Sequence, residues 1–172
     1  MTKKLKKIID SNAISNKVKE LGYMISTDYK DLNPVLIGVL NGSFIFLGDL
    51  TRNLEIIHEI DFIKISSYRN GSTDDEVKLI HDITMDISGR DIIIVDDIID
   101  TGKSLIFLKN HFEKFGANSI NTCAMVYRNF DKDAKPDIEY KGFEISEGFL
   151  IGYGMDYNGW GRNLKDIYII EE

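Results

Sequence analysis

The sequence predicts an α/β fold with a central, mostly parallel sheet flanked by helices and a small cap built from terminal segments. Three observations carry this expectation. Val35–Leu40 and Asp91–Val95 are short, nearly unbroken apolar runs rich in β-branched residues, as strands buried on both faces require. After the second run, Leu105, Leu108, Phe112 and Phe115 recur at helical spacing and stop at Gly116, a residue suited to a helix C-terminus. Ile120–Val126 then resumes an extended pattern. Strand, helix, strand in that order implies a right-handed crossover between parallel strands, with ligands taken up outside the strands' carboxyl ends.

The remaining elements follow in chain order. Met1 to Ile9 is lysine-rich and reads as a solvated terminus. Ser11 to Tyr29 places Ile14, Val18, Leu21 and Ile25 three or four apart, the stripe of an amphipathic helix. Asn41, Gly42 and Ser43 turn the Val35–Leu40 strand into a helix over Phe44–Arg52. Ile60 to Ser66 is a strand, Ser67 to Asp75 a polar loop expected to be mobile, and Val77 to Ile83 a return to extended structure. Ser88, Gly89 and Arg90 lead into the Asp91 strand, which is expected to end at its acidic pair. Past Arg128 a polar stretch reaches Pro136, and Ile138–Phe143, Phe149–Tyr153 and Ile167–Ile170 are short strands assigned to the cap. With no internal repeat or low-complexity linker, residues 1–172 are expected to form a single domain.

Composition narrows the function classes. With 21 basic against 28 acidic residues the net charge is −7, which disfavours nucleic acid and anionic membranes as partners. The start lacks the apolar stretch of a signal peptide, and no run approaches the ~20 apolar residues that span a bilayer. A cytoplasmic protein is expected. The lone Cys123 rules out an intramolecular disulfide and suits core packing. His58, His81 and His111 show no metal-ligand spacing.

The chemistry concentrates in Ile92 to Ser104. Asp96 and Asp97 stand at a strand end, Asp100 follows three residues later, and Thr101, Gly102, Lys103 and Ser104 make a short hydroxyl-bearing turn before a helix. Such a turn offers backbone N–H groups, hydroxyls and the positive helix end to a monophosphate. Adjacent carboxylates can accept ribose hydroxyls or bind magnesium, which prefers oxygen ligands and retained water. A nucleotide-hydrolase phosphate loop is excluded, because the first glycine of that motif would fall on Asp97. A phosphate-accepting signalling domain and simple solvated strand-end charge remain as alternatives.

Val95-Asp96-Asp97-Ile98-Ile99-Asp100-Thr101-Gly102 resembles the signature of the type I phosphoribosyltransferases of purine salvage, the hypoxanthine-guanine kind. The resemblance runs from roughly Val35 to Arg162, with further motifs in family order. It implies that Asp96 and Asp97 hold ribose hydroxyls and organise Mg2+, that Asp100 is the base near purine N7, and that Thr101, Gly102, Lys103 and Ser104 wrap the 5′-phosphate. Leu40, Asn41 and Gly42 are similar to the pyrophosphate loop, often entered through a cis peptide. Ser67 and Tyr68 match the start of the catalytic loop that closes over the reacting centre. Phe149 matches the ring that stacks on the base, Leu150 a backbone contact to it, Asp156 a second metal ligand and Arg162 a pyrophosphate contact. Arg128 stands where relatives carry the lysine that donates to the 6-oxo group, Asp96 where they carry glutamate, and Asn41 where many carry a basic residue.

The resemblance therefore implies phosphoribosyl transfer from phosphoribosyl pyrophosphate to a free 6-oxopurine base by a homodimer or homotetramer. A transferase for xanthine or another base, and a regulatory protein that binds phosphoribosyl pyrophosphate with little turnover, are the alternatives.

Overall fold

The computed structural model describes residues 4–68, 76–128 and 137–171. Nine strands and three helices follow one another as β1 (Lys4–Ile9), α1 (Ser11–Asp28), β2 (Val35–Leu40), α2 (Phe44–Thr51), β3 (Glu59–Tyr68), β4 (Glu76–His81), β5 (Asp91–Ile99), α3 (Lys103–Lys114), β6 (Ser119–Tyr127), β7 (Tyr140–Glu144), β8 (Leu150–Ile151) and β9 (Ile167–Glu171) among the described residues. The expected α/β architecture is present: a six-stranded sheet in the order β4-β3-β2-β5-β6-β7, parallel except for β4, and a three-stranded antiparallel sheet β1-β9-β8.

The apolar runs form the middle of the large sheet because both faces are covered. Alternate residues of β2 and β5 point to opposite cores: Leu36, Ile93 and Val95 pack with α1 and α2, whereas Val35, Ile37, Ile92 and Ile94 pack with Leu105, Leu108 and Phe112 of α3. The α1 stripe of Ile14, Val18, Leu21 and Ile25 is fully buried, and Asp10 caps the helix by accepting from Ala13 N–H at 2.9 Å.

Four expectations are corrected. Lys4–Ile9 is not a loose terminus but a strand, because antiparallel pairing with β9 satisfies its backbone. β5 does not end at its acids; pairing continues through Ile98 with Val126 and Ile99 with Tyr127, so Asp96 and Asp97 are in-strand residues. Ser67 and Tyr68 belong to the end of β3 rather than to a loop, and residues 69–75 of that loop lie outside the described residues, as do residues 129–136. β7 joins the main sheet as a parallel edge beside β6 instead of the cap.

The strand order reverses between β2 and β5: β2 leads to β3 on one side, whereas β5 leads to β6 on the other. A crevice opens at such a switch point, outside the carboxyl ends. Leu40–Gly42 and Asp96–Thr101 meet there.

Candidate active site

Two cavities lie side by side at this switch point. The smaller, about 170 Å³, is lined by Asp96, Asp100, Thr101, Gly102, Lys103 and Ser104, with Ile98, Ile99, Leu105 and Val77 of β4. Gly102 caps α3 with φ 76°, a left-handed conformation that costs glycine little, and Ile106 N–H donates to its carbonyl at 2.9 Å. The unpaired N–H groups of the first α3 turn, the exposed Thr101 and Lys103 and the half-buried Ser104 surround the cavity. A phosphate group is the ligand this environment suits.

The larger cavity, about 340 Å³, is walled by Gly42, Asp97, Ile98, Asp100, Arg128, Phe149, Leu150, Met155, Asp156 and Arg162. Its two ends differ. At one, Arg128 places Nε 2.5 Å from Asp100 Oδ1 and donates from Nη2 to the Gly148 carbonyl at 2.7 Å. The Nε contact is an ion pair without hydrogen-bond geometry, so this buried N–H has no acceptor among the described residues. Half-exposed Phe149 stands beside this corner, and Leu150 is buried behind it in β8. At the other end Arg162 meets Asp156, Nη2 to Oδ1 at 2.5 Å, and donates from Nη1 to the Gly154 carbonyl at 2.6 Å. Gly159 N–H donates to the second Asp156 oxygen at 2.6 Å.

The pyrophosphate-loop candidate lies against this second corner. The Leu40–Asn41 peptide is cis, as the resemblance implies. Two close approaches hold the turn: a β-carbon on Gly42 would fall 2.0 Å from Asp97 Oδ2, and one on Gly154 would fall 2.0 Å from the Gly42 carbonyl oxygen. Both positions therefore need glycine, and Gly154 also has φ 102°. Ser43 anchors the loop by donating from its hydroxyl to the Val39 carbonyl at 2.7 Å.

Burial, the charge of Asp97 and their shared hydrogen bond push the Asp96 carboxyl well above the usual range. Burial also raises Asp97, against the opposing pull of its hydrogen bond with Asp96, backbone N–H groups and the Arg162 charge. The pair is poorly disposed to carry two charges without a cation or a hydrogen-bonding ligand. Asp97 and Asp156 share the larger cavity, whereas Asp96 lines the smaller one. Among the described residues no group of three or more acidic, histidine or cysteine side chains forms a metal cluster.

Fifteen of the seventeen expected site residues thus lie at described positions with their burial resolved, and most converge. Leu40 and Asn41 are set at the turn but line neither cavity; Ser67 and Tyr68 are placed only as the end of β3. Sequence reasoning missed Gly148, whose carbonyl holds Arg128, and Gly154, whose missing side chain admits the Gly42 carbonyl. The Gly152-Tyr153-Gly154 spacing was the available signal for a close backbone approach.

Known proteins decide the family. The phosphoribosyl transferase domain family matches residues 4–158. The chain belongs to that family. A hypoxanthine-guanine phosphoribosyltransferase of Streptococcus pyogenes serotype M3 is 39% identical over 98% of this chain and 94% of its own length. One from Aquifex aeolicus is 34% identical over 99% and 97%. A crystal structure of a hypoxanthine-guanine phosphoribosyltransferase from Bacillus anthracis superposes with a TM-score of 0.92 at 38% identity, covering 98% of this chain and all of that one. The Thr101–Ser104 turn and Asp96 line one cavity, Asp97 and Phe149 the other, and the two adjoin through Ile98 and Asp100. Cys123 is outside it, fully buried, with burial pushing its thiol far up, as a packing residue should be.

Proposed function

We propose that the protein transfers the phosphoribosyl group of phosphoribosyl pyrophosphate to a 6-oxopurine, hypoxanthine or guanine, forming the nucleoside monophosphate and pyrophosphate in purine salvage. The observation that carries this reading is the two-ended larger cavity. Asp100, Arg128 and Phe149 suit a base that has an acceptor oxygen and a face to stack; Gly42, Asp97, Asp156 and Arg162 suit a sugar diphosphate.

The base enters against Phe149 with its 6-oxo oxygen toward the Arg128 guanidinium. Asp96 and Asp97 accept the ribose hydroxyls, and the Thr101–Ser104 turn holds the 5′-phosphate. The purine N9 attacks the anomeric carbon as the bond to pyrophosphate breaks, and Asp100 takes up the proton that the base sheds. Positive charge develops on the ribose beside the acidic pair, while Arg162 faces the departing diphosphate.

Magnesium fits this donor set. Mg2+ is commonly held by one or two carboxylates, waters and substrate phosphates, so a preformed protein cluster is unnecessary. Asp96, Asp97 and Asp156 are the assigned ligands, and the raised carboxyls of the acidic pair are what a divalent cation would relieve. When bound, the ion offsets negative charge on the leaving diphosphate.

We assign the chain to the cytoplasm as one catalytic domain that works as a homodimer or homotetramer. Exposed Phe44, Ile57, Ile60 and Phe62 in and beside α2 and β3 suit burial against a second copy. No described helix is long and apolar enough to cross a membrane.

Pyrophosphate release with hypoxanthine, guanine, xanthine and adenine, before and after chelation of divalent metal, tests the reading. Turnover with oxopurines that stops on chelation and returns with Mg2+ is expected. Preference for adenine, or full turnover after chelation, would overturn the substrate or the metal assignment respectively.

A further inference from the structure

Phe149 stands 53% exposed at the rim of the larger cavity. A ring so free must be held by a neighbour if it is to offer a fixed face to a base. Backbone pairing does not do this: Ile170 N–H donates to the Phe149 carbonyl at 3.0 Å, which anchors the chain just before β8 but leaves the ring's orientation open. The neighbour is Tyr157, whose ring meets Phe149 edge-on, with centroids 5.3 Å apart and planes at 86°. Tyr157 is met in turn by Trp160 at 5.9 Å and 73°. Both contacts have the edge-to-face form that ring quadrupoles favour.

The second pair is fixed by the backbone beneath it. Tyr157 and Trp160 exchange N–H···O bonds of 3.0 and 3.2 Å across a two-residue turn. Asn158 and Gly159, with φ of 50° and 87°, supply the positive angles of a type I′ turn. The turn therefore sets the indole against the phenol, and the phenol against Phe149.

We propose that Tyr157 and Trp160 are positioning residues, which hold the Phe149 ring in the orientation that stacks on the purine. This rests on the reading of Phe149 as the stacking residue. Neither ring contact is needed at the diphosphate corner: Asp156 is held by Gly159 N–H and by Arg162, through backbone and guanidinium alone. Removing the indole thus acts on the base and leaves the diphosphate end in place.

The test is steady-state kinetics on Trp160→Ala, Trp160→Phe, Phe149→Ala and the Phe149→Ala, Trp160→Ala double variant. Loss of one edge-to-face contact should raise KM for the oxopurine roughly three- to tenfold in Trp160→Ala, and Trp160→Phe should return it to within about twofold of native. KM for phosphoribosyl pyrophosphate and kcat should hold in both. In the Phe149→Ala background, Trp160→Ala should add nothing, because its effect passes through the missing ring. The proposal is overturned if Phe149→Ala raises the oxopurine KM and Trp160→Ala does not, if both substrates' KM values rise together, if phenylalanine fails to rescue, or if the two effects add. An oxopurine KM unmoved by Phe149→Ala would instead remove the stacking reading itself, and the proposal with it.

Discussion

Gly42→Ala tests how closely the pyrophosphate loop and the acidic pair are fitted. The new methyl carbon would sit 2.0 Å from Asp97 Oδ2 and 2.4 Å from its carboxyl carbon, where ordinary contact begins at 3.4 Å. The carboxylate must retreat by about 1.4 Å, or the loop must lift away from it. The loop has little freedom, because Gly154 packs on the Gly42 carbonyl and Ser43 is tied to Val39. A misplacement of ~1 Å in a reacting arrangement can lower the rate ~10²-fold, so kcat/KM for phosphoribosyl pyrophosphate should fall by about that factor. Initial rates at saturating oxopurine and varied phosphoribosyl pyrophosphate measure it, with the melting temperature as a check on folding. Native kcat/KM in a folded Gly42→Ala protein would refute the reasoning: either Asp97 has room to move without consequence, or it does not hold the ribose.

Arg128→Ala removes the charge paired with Asp100 and the donor to Gly148; a charged hydrogen bond contributes ~1.5–3 kcal/mol, so kcat/KM for the preferred oxopurine should drop roughly 10- to 150-fold. Arg128→Lys should recover part of that loss, and oxopurine kinetics unchanged in Arg128→Ala would show that this side chain does not read the 6-position. Asp100→Asn should lower kcat by ~10²–10⁴-fold with donor binding retained, as measured in single turnover, where slow product release cannot mask the effect. Asp166 supplies a pH prediction: the Ser11 N–H, then Tyr168 and Lys7, outweigh the effect of burial and hold its carboxyl below the usual range. Its stabilising contribution is present above the unfolded-state pKa and is lost as pH falls through the lower folded value. Urea unfolding of Asp166→Asn should therefore show a weaker loss of stability with acid than native protein, and an identical acid profile would refute the assignment.

The buried strands and α1 were legible because their signal is local: β-branched apolar runs and a three-to-four spacing need no knowledge of partners. The phosphate turn was legible for the same reason, since Asp100 to Ser104 are contiguous and the helix they start supplies its own N–H groups. Partners were not legible. Nothing within Lys4–Ile9 announces that β9 will pair with it, and nothing within Tyr140–Glu144 says whether it joins the cap or the main sheet, because backbone pairing is decided by whichever edge is free. Only the tertiary structure brought Gly42, Asp97 and Gly154 into contact, set Arg128 between Asp100 and the Gly148 carbonyl, and put Tyr157 against Phe149. Residue types and spacing thus specify which groups can do the chemistry; strand order and packing specify the distances between them, since contacts across tens of residues depend on the whole chain's burial.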